Sequence, residues 1–309
     1  MKAFVAGATG VLGRRVVPLL LRAGHDVTAL ARTDQKAASL QAVGATPVRV
    51  DLFDPDATRT AVAGHDIVCN LATHIPSPGR MARPSAWAEN DRVRTEISRN
   101  LADAVIDTGA GRFIQESIAY LYRDAGDRWI DEEAPVQPVA NLSSATVAES
   151  NASRVNAAGS TAVVLRFATF YGPDSDTTLL TIRMAKRRIA VGAAPDAYVS
   201  SITTDDAASA VVAALGAPAG VYNVGDDEPV TRRAFFTALA DALGTKPPLI
   251  APAGIAKLGG ARATILTRSQ RISNRRFADA TGWAPVSRSA HEGWPAVIAL
   301  TRPTATTIG

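Results

Sequence analysis

Ala3-Phe4-Val5-Ala6-Gly7-Ala8-Thr9-Gly10-Val11-Leu12-Gly13-Arg14-Arg15-Val16-Val17-Pro18-Leu19-Leu20-Leu21 joins an apolar run, three glycines at GxxGxxG spacing and a helical pattern without a gap. A strand, a glycine turn and a helix in that order build a cradle for a pyrophosphate. The glycines let the backbone turn tightly and approach the anion, and the helix directs its unpaired N–H groups and positive dipole end at the same point. A glycine motif alone is weak evidence, so its meaning depends on the strands and helices further along the chain.

Short β-type runs recur at 3–6, 27–31, 47–50, 67–71, 113–115, 162–167 and 221–224, with helical patterns near 11–23, 35–43, 55–63, 86–108, 144–157 and 205–216 between them. Strands alternating with helices predict an α/β fold with a doubly wound parallel sheet. Ligands of such sheets sit beyond the carboxyl ends of the strands, where strand order reverses. After Tyr171-Gly172-Pro173 the alternation weakens. Residues 1–172 with 202–225 are therefore expected to form a dinucleotide-binding domain, and 173–201 with 226–309 a smaller substrate-binding lobe, with a frayed tail after Thr301.

The chain has 309 residues, 47% of them apolar, enough to bury a substantial core. Its net charge of +4 gathers in clusters such as Lys186-Arg187-Arg188 without interleaved aromatics, so nucleic acid is not an expected partner. One cysteine, Cys69, fits a reducing compartment and excludes an internal disulfide. No run approaches the roughly 18 apolar residues of a membrane span, and a cytoplasmic location is expected. The four histidines show no ligand spacing, so no metal is expected.

The residues behind the strands sharpen the ligand. The second strand ends at Arg32, where an NAD site carries an acid for the ribose 2′-hydroxyl; Arg32, with Arg14 and Lys36 nearby, suits a 2′-phosphate, so NADP is expected over NAD. Asp51 and Leu52 come after the third strand, placing a carboxylate where an adenine amino group would donate, although Asp51 equally suits the start of the next helix. Leu71, Ala72 and Thr73 end the fourth strand and let backbone lie against the cofactor. Gly7, Thr9, Gly10, Val11, Leu12 and Gly13 complete the expected cofactor contacts.

Those segments, with Leu165-Arg166-Phe167, Tyr171-Gly172-Pro173, Thr204-Asp205-Asp206, Tyr222-Asn223-Val224-Gly225 and Gly282-Trp283-Ala284-Pro285, resemble the extended short-chain dehydrogenases/reductases of the NAD(P)-dependent epimerase/dehydratase group over nearly the full length. The resemblance implies a Rossmann-type fold and a bound dinucleotide. It also implies a Ser/Thr after the fifth strand and a Tyr-x-x-x-Lys pair on the next helix, the tyrosine exchanging a proton with substrate while the lysine lowers its pKa and holds the nicotinamide ribose. No Tyr-x-x-x-Lys occurs in this chain. Alignment on Tyr122 and Glu149 puts Ile118 at the Ser/Thr position, Asn141 at the tyrosine and Ala145 at the lysine.

Ser117, Tyr120 and Tyr122 remain as candidate catalytic groups at the end of the fifth strand, with Tyr120 the preferred acid. In an extended strand Tyr120 and Tyr122 share a face, opposite Ser117. Glu116 is a candidate base or an arginine's partner. His74, Trp87 and Asn90 are candidate substrate contacts, as are Arg268 and Arg271 in the late segment, where related sugar-nucleotide enzymes grip a diphosphate. A small-molecule substrate is expected, no membrane partner, and a homodimer is compatible with the sequence. Three functions stay open: an NADP-dependent oxidoreductase or epimerase-like enzyme with an unusual acid, a non-redox isomerase, dehydratase or cyclase, and a catalytically silent NADP sensor.

Overall fold

In a computed structural model the described residues are 1–81, 83–139, 142–256 and 266–301. Asn141 and the tail beyond Thr301 lie outside them. Seven strands form one parallel sheet: β1 Lys2–Ala6, β2 Asp26–Leu30, β3 Thr46–Val48, β4 Ile67–Asn70, β5 Arg112–Ile118, β6 Thr161–Phe167 and β7 Gly220–Val224. Their order is β3-β2-β1-β4-β5-β6-β7, so it reverses between β1 and β4. That is the Rossmann-type doubly wound sheet, with a cleft at the switch point.

The strands are apolar on both sides because helices cover both sides. Val16, Val17 and Leu20 of α1 (Gly13–Arg22) pack one face together with Ala207 and Val211 of α8 (Thr204–Ala213). Leu101 and Val105 of α5 (Ser98–Thr108) pack the other, with Val62 of α3 (Pro55–Val62) and Val155 of α6 (Ser144–Ala157). Local signals set the ends. Asp54, not Asp51, caps α3, its carboxylate accepting from the amides of Asp56 at 2.9 Å and Ala57 at 3.1 Å ahead of a helix opened by Pro55. Thr33 caps α2 (Asp34–Ala42) in the same way.

A third apolar cluster joins α7 (Asp176–Lys186), α9 (Arg232–Leu243) and the helix Ala290–Thr301 through Ile182, Phe235, Phe236, Leu239 and Trp294. From the segment expected to build the second lobe, Phe277 and Trp283 pack in the core with Tyr222. Short paired strands, Trp129–Ile130 with Arg271–Ile272 and Thr169–Tyr171 with Ser201–Thr203, tie the late segments to the loops after β5 and β6. Among the described residues no helix is long and apolar enough to cross a membrane, and no group of His, Cys, Asp or Glu is placed to hold a metal ion.

Candidate active site

The carboxyl ends of β1 to β6 open into a cleft of about 880 Å³. One end is formed by the glycine turn. Gly7 has φ +77°, and a Cβ there would collide with the carbonyl of Leu71; a Cβ on Gly13 would collide with the Gly7 carbonyl. Two of the three glycines are thus fixed by the turn's own packing, which brings the start of α1 to the cleft wall with Thr9, Gly10, Val11, Leu12 and Arg14.

Arg32, Lys36, Asp51, Leu52, Leu71, Ala72 and Thr73 line the same cleft. Asp51 accepts from the Phe53 amide at 3.0 Å, which folds the turn after β3. Arg14 is already engaged: its Nε lies 2.9 Å from Asp174, and the guanidinium also donates to the Asp174 carbonyl. Arg15 pairs with Asp174 and Asp205 at 2.9 and 2.6 Å. The cations left facing the cleft beyond β2 are Arg32 and Lys36, because Arg14 serves to pin the segment after β6 across the glycine turn.

At the far end β5 alternates as a strand should until Ile118. Glu116 and Ile118 face the cleft, and Ser117 faces away. The strand then breaks into a 3₁₀ turn at Ala119–Leu121, so Tyr120 and Tyr122 do not share a face. Tyr120 reaches the cleft, where its hydroxyl and that of Thr169 lie 2.7 Å apart. Tyr122 is fully buried behind the sheet: its hydroxyl donates to Asn223 and accepts from Arg166, both at 2.8 Å. Ser117 donates to Glu149 at 2.6 Å, and Arg166 forks onto both Glu149 oxygens at 2.8 and 2.7 Å. Burial raises the Tyr122 phenol above its ordinary pKa, with Arg166 opposing. Of the catalytic candidates, Ser117 and Tyr122 do not line the cleft but belong to a buried network that ties α6 to β5, β6 and β7.

Arg268 and Arg271 also lie away from the cleft lining. Arg268 is buried and donates to three backbone carbonyls, those of Tyr120 at 3.0 Å and of Tyr122 and Gln137 at 2.8 Å. It holds the turn that aims Tyr120. Arg271 lies over the rings of Trp129 and Tyr198, 4.2 and 4.8 Å from their centroids. Neither lines the cleft: Arg268 is committed to the turn after β5, and Arg271 to the short strand Arg271–Ile272 that pairs with Trp129–Ile130.

His74, Trp87 and Asn90 do line it. The Asn90 side chain accepts from the His74 amide at 3.0 Å, and the Trp87 indole donates to the Met81 carbonyl at 2.9 Å, so both shape the loop after β4. Cys69 lies inside β4, where burial pushes its thiol up to about 12, leaving a packing group and no thiolate. Ala145 is wholly buried in the first turn of α6.

One charged group escaped sequence reasoning. Between α4 (Ala88–Arg92) and α5 the chain makes a π turn, Val93–Ile97, and from it Arg94 turns inward to donate to Glu116 at 2.9 Å. Burial raises the Glu116 pKa above the usual carboxylate range, and Arg94 works against that shift. Amid Glu89, Asp91, Arg92 and Glu96 the arginine looks like part of a solvated face. Its helical spacing with Asn90, Val93 and Ile97 was the available signal, since all four line the cleft.

The glycine turn, the small residues after β4 and the mouth of β5 and β6 define a dinucleotide-binding enzyme fold. The chain belongs to the NAD dependent epimerase/dehydratase family, whose sequence profile matches residues 3–225. A protein of a Streptomyces species named 3-diazoavenalumate denitrifying reductase is 33% identical over 310 residues, covering 95% of this chain and 99% of its own. The crystal structure of the Thermus thermophilus UDP-glucose 4-epimerase in complex with NAD shares the fold at TM-score 0.77 and 21% identity, covering 98% of this chain and 100% of that one. Human epimerase family protein SDR39U1 (isoform 2), solved with NADPH, does so at 0.77 and 21%, covering 97% and 99%.

Proposed function

We propose that the protein is an NADPH-dependent reductase of a small-molecule acceptor that works without a tyrosine–lysine proton relay. The carrying observation is the contrast along one cleft: a glycine turn and free cations at one end, and at the other Tyr120 as the one described tyrosine that lines it. Arg32 and Lys36 would hold a 2′-phosphate, since β2 ends without the acid that a 2′-hydroxyl calls for. The start of α1 would hold the pyrophosphate. When bound, the reduced nicotinamide supplies a hydride.

The chain's own residues set what happens at the acceptor. Ile118 and Phe167 present apolar surface to it and exclude water. For a carbonyl acceptor the growing alkoxide must be protonated, and Tyr120 is positioned to donate, with Thr169 in hydrogen-bond reach of its hydroxyl. A second reading comes from the Streptomyces relative, whose name gives a diazo compound as its substrate. Replacing a diazonium group by hydrogen takes up one hydride, releases dinitrogen and leaves no alkoxide, so it needs no acid at all. The absence of a Tyr-x-x-x-Lys sequence fits that chemistry.

The test is NADPH consumption with an aryl carbonyl and an aryl diazonium acceptor, in the unsubstituted protein and in Tyr120→Phe. A carbonyl reductase loses about a hundredfold in kcat when Tyr120 becomes Phe. A diazo reductase keeps its rate. Release of rearranged or dehydrated product with no change in nicotinamide absorbance would replace both readings by a non-redox enzyme.

A further inference from the structure

Arg94 is a buried charge on the cleft that the proposed reductase chemistry leaves unused. It is only 4% exposed, one arm of its guanidinium donates to Glu116, and its Nη1 has no hydrogen-bond partner among the described residues. A buried guanidinium N–H without an acceptor is unfavourable, and such a group in a native fold calls for a missing partner. Arg94 and Glu116 both line the cleft, so the partner is sought there.

The position narrows its chemistry. The glycine turn, Arg32, Lys36 and Asp51 occupy the end over β1 to β3, whereas Arg94, Glu116, Ile118 and Tyr120 occupy the end over β4 to β6. A dinucleotide with its adenosine at the first end brings its second ribose and its nicotinamide to the other. A ribose diol offers hydroxyls that both donate and accept. Arginine only donates and a carboxylate only accepts, so the pair matches a diol from both directions. An anionic group would suit Arg94 but would meet the Glu116 carboxylate beside it. The facing helix supplies no alternative donor, because Ala145 is buried there while its neighbour Ser144 donates to Asp91 at 2.7 Å.

We propose that Arg94, oriented by Glu116, grips the nicotinamide-side ribose hydroxyls of the bound dinucleotide, a task for which α6 carries no lysine. The assignment rests on the cleft being a dinucleotide site. It makes Arg94 a cofactor-binding residue supplied by the helix after β4 and Glu116 its positioning partner. The reach of an arginine across the cleft floor replaces a shorter approach from α6.

Binding of whole and half cofactors separates this from a structural role. NADPH is titrated by its own fluorescence, and 2′,5′-ADP, which lacks the second ribose, by calorimetry. In the double variant Arg94→Met, Glu116→Gln, which leaves no unpaired buried charge, NADPH binding is expected to weaken about tenfold while 2′,5′-ADP stays within about twofold. Unchanged NADPH binding, or equal losses for both ligands, overturns the proposal. If the double variant does not fold, Arg94→Lys keeps a cation near Glu116 but removes the second arm; there NADPH alone weakens about threefold, and no change overturns the assignment. Failure of the unsubstituted protein to bind either ligand, or NADH and ADP in their place, overturns the dinucleotide reading itself, a result distinct from selective loss in the variants.

Discussion

The two sides of β5 carry similar residues and do opposite things. Toward the cleft stand Glu116, Ile118 and, from the 3₁₀ turn, Tyr120; behind the sheet stand Ser117 and Tyr122, closed into a network with Glu149, Arg166 and Asn223. Behind the sheet the network's hydrogen bonds are spent within the protein, and it confers rigidity. In front, among the described residues, Arg94 keeps an N–H without a partner and the Tyr120 side chain hydrogen-bonds only with Thr169. Polarity at a strand end therefore does not mark a catalytic group; unspent bonding capacity facing a cleft does.

Breaking the rear network gives the largest expected effect. Arg166→Met leaves Glu149 buried without its cation and should cost about 3–5 kcal/mol in denaturant unfolding, with NADPH affinity unchanged in protein that remains folded. A selective loss of affinity would move Arg166 to the front. Arg268→Met removes a donor from the carbonyls of Tyr120, Tyr122 and Gln137, of which Tyr122 keeps Gln270, and should cost about 2 kcal/mol; because the turn it holds aims Tyr120, activity should fall with stability. Tyr120→Phe lies on the other side of the contrast: its loss of stability should stay below about 1 kcal/mol, since one half-buried hydrogen bond is removed. A larger drop in melting temperature would mark Tyr120 as structural.

The smallest effect is a slope. Burial holds the Glu116 pKa above its unfolded value, so over the interval between the two the folded protein binds the extra proton. Stability contributed by that proton is present below the unfolded pKa, about 4.3, and declines as pH rises through the folded one. Thermal unfolding followed across that interval should therefore show a shallower decline in Glu116→Gln than in the unsubstituted protein. An identical slope in the two would assign the pH dependence to other groups.

The glycine-turn end of the cleft was legible because its requirements are backbone requirements. Gly7 and Gly13 must be glycine to pack against Leu71 and each other, and spacing records that directly. The strand alternation likewise reports the order of layers, since both faces of the sheet must be apolar. The far end of the cleft depends on which way side chains turn after a strand ends. A 3₁₀ turn at Ala119–Leu121, held by Arg268 from far along the chain, sends Tyr120 and Tyr122 to different sides, and no local pattern encodes that contact. Arg94 was hidden for a related reason: a charge that pairs inward with Glu116 carries the same letter as one that faces water.

The most direct test of an NADPH-dependent front face is a titration of NADPH and NADH against the unsubstituted protein and Arg32→Ala. NADPH should bind about tenfold more tightly than NADH, a difference of about 1.4 kcal/mol, and Arg32→Ala should erase the preference while leaving NADH binding unchanged. Tighter binding of NADH, or a preference that survives Arg32→Ala and Lys36→Ala together, would contradict it.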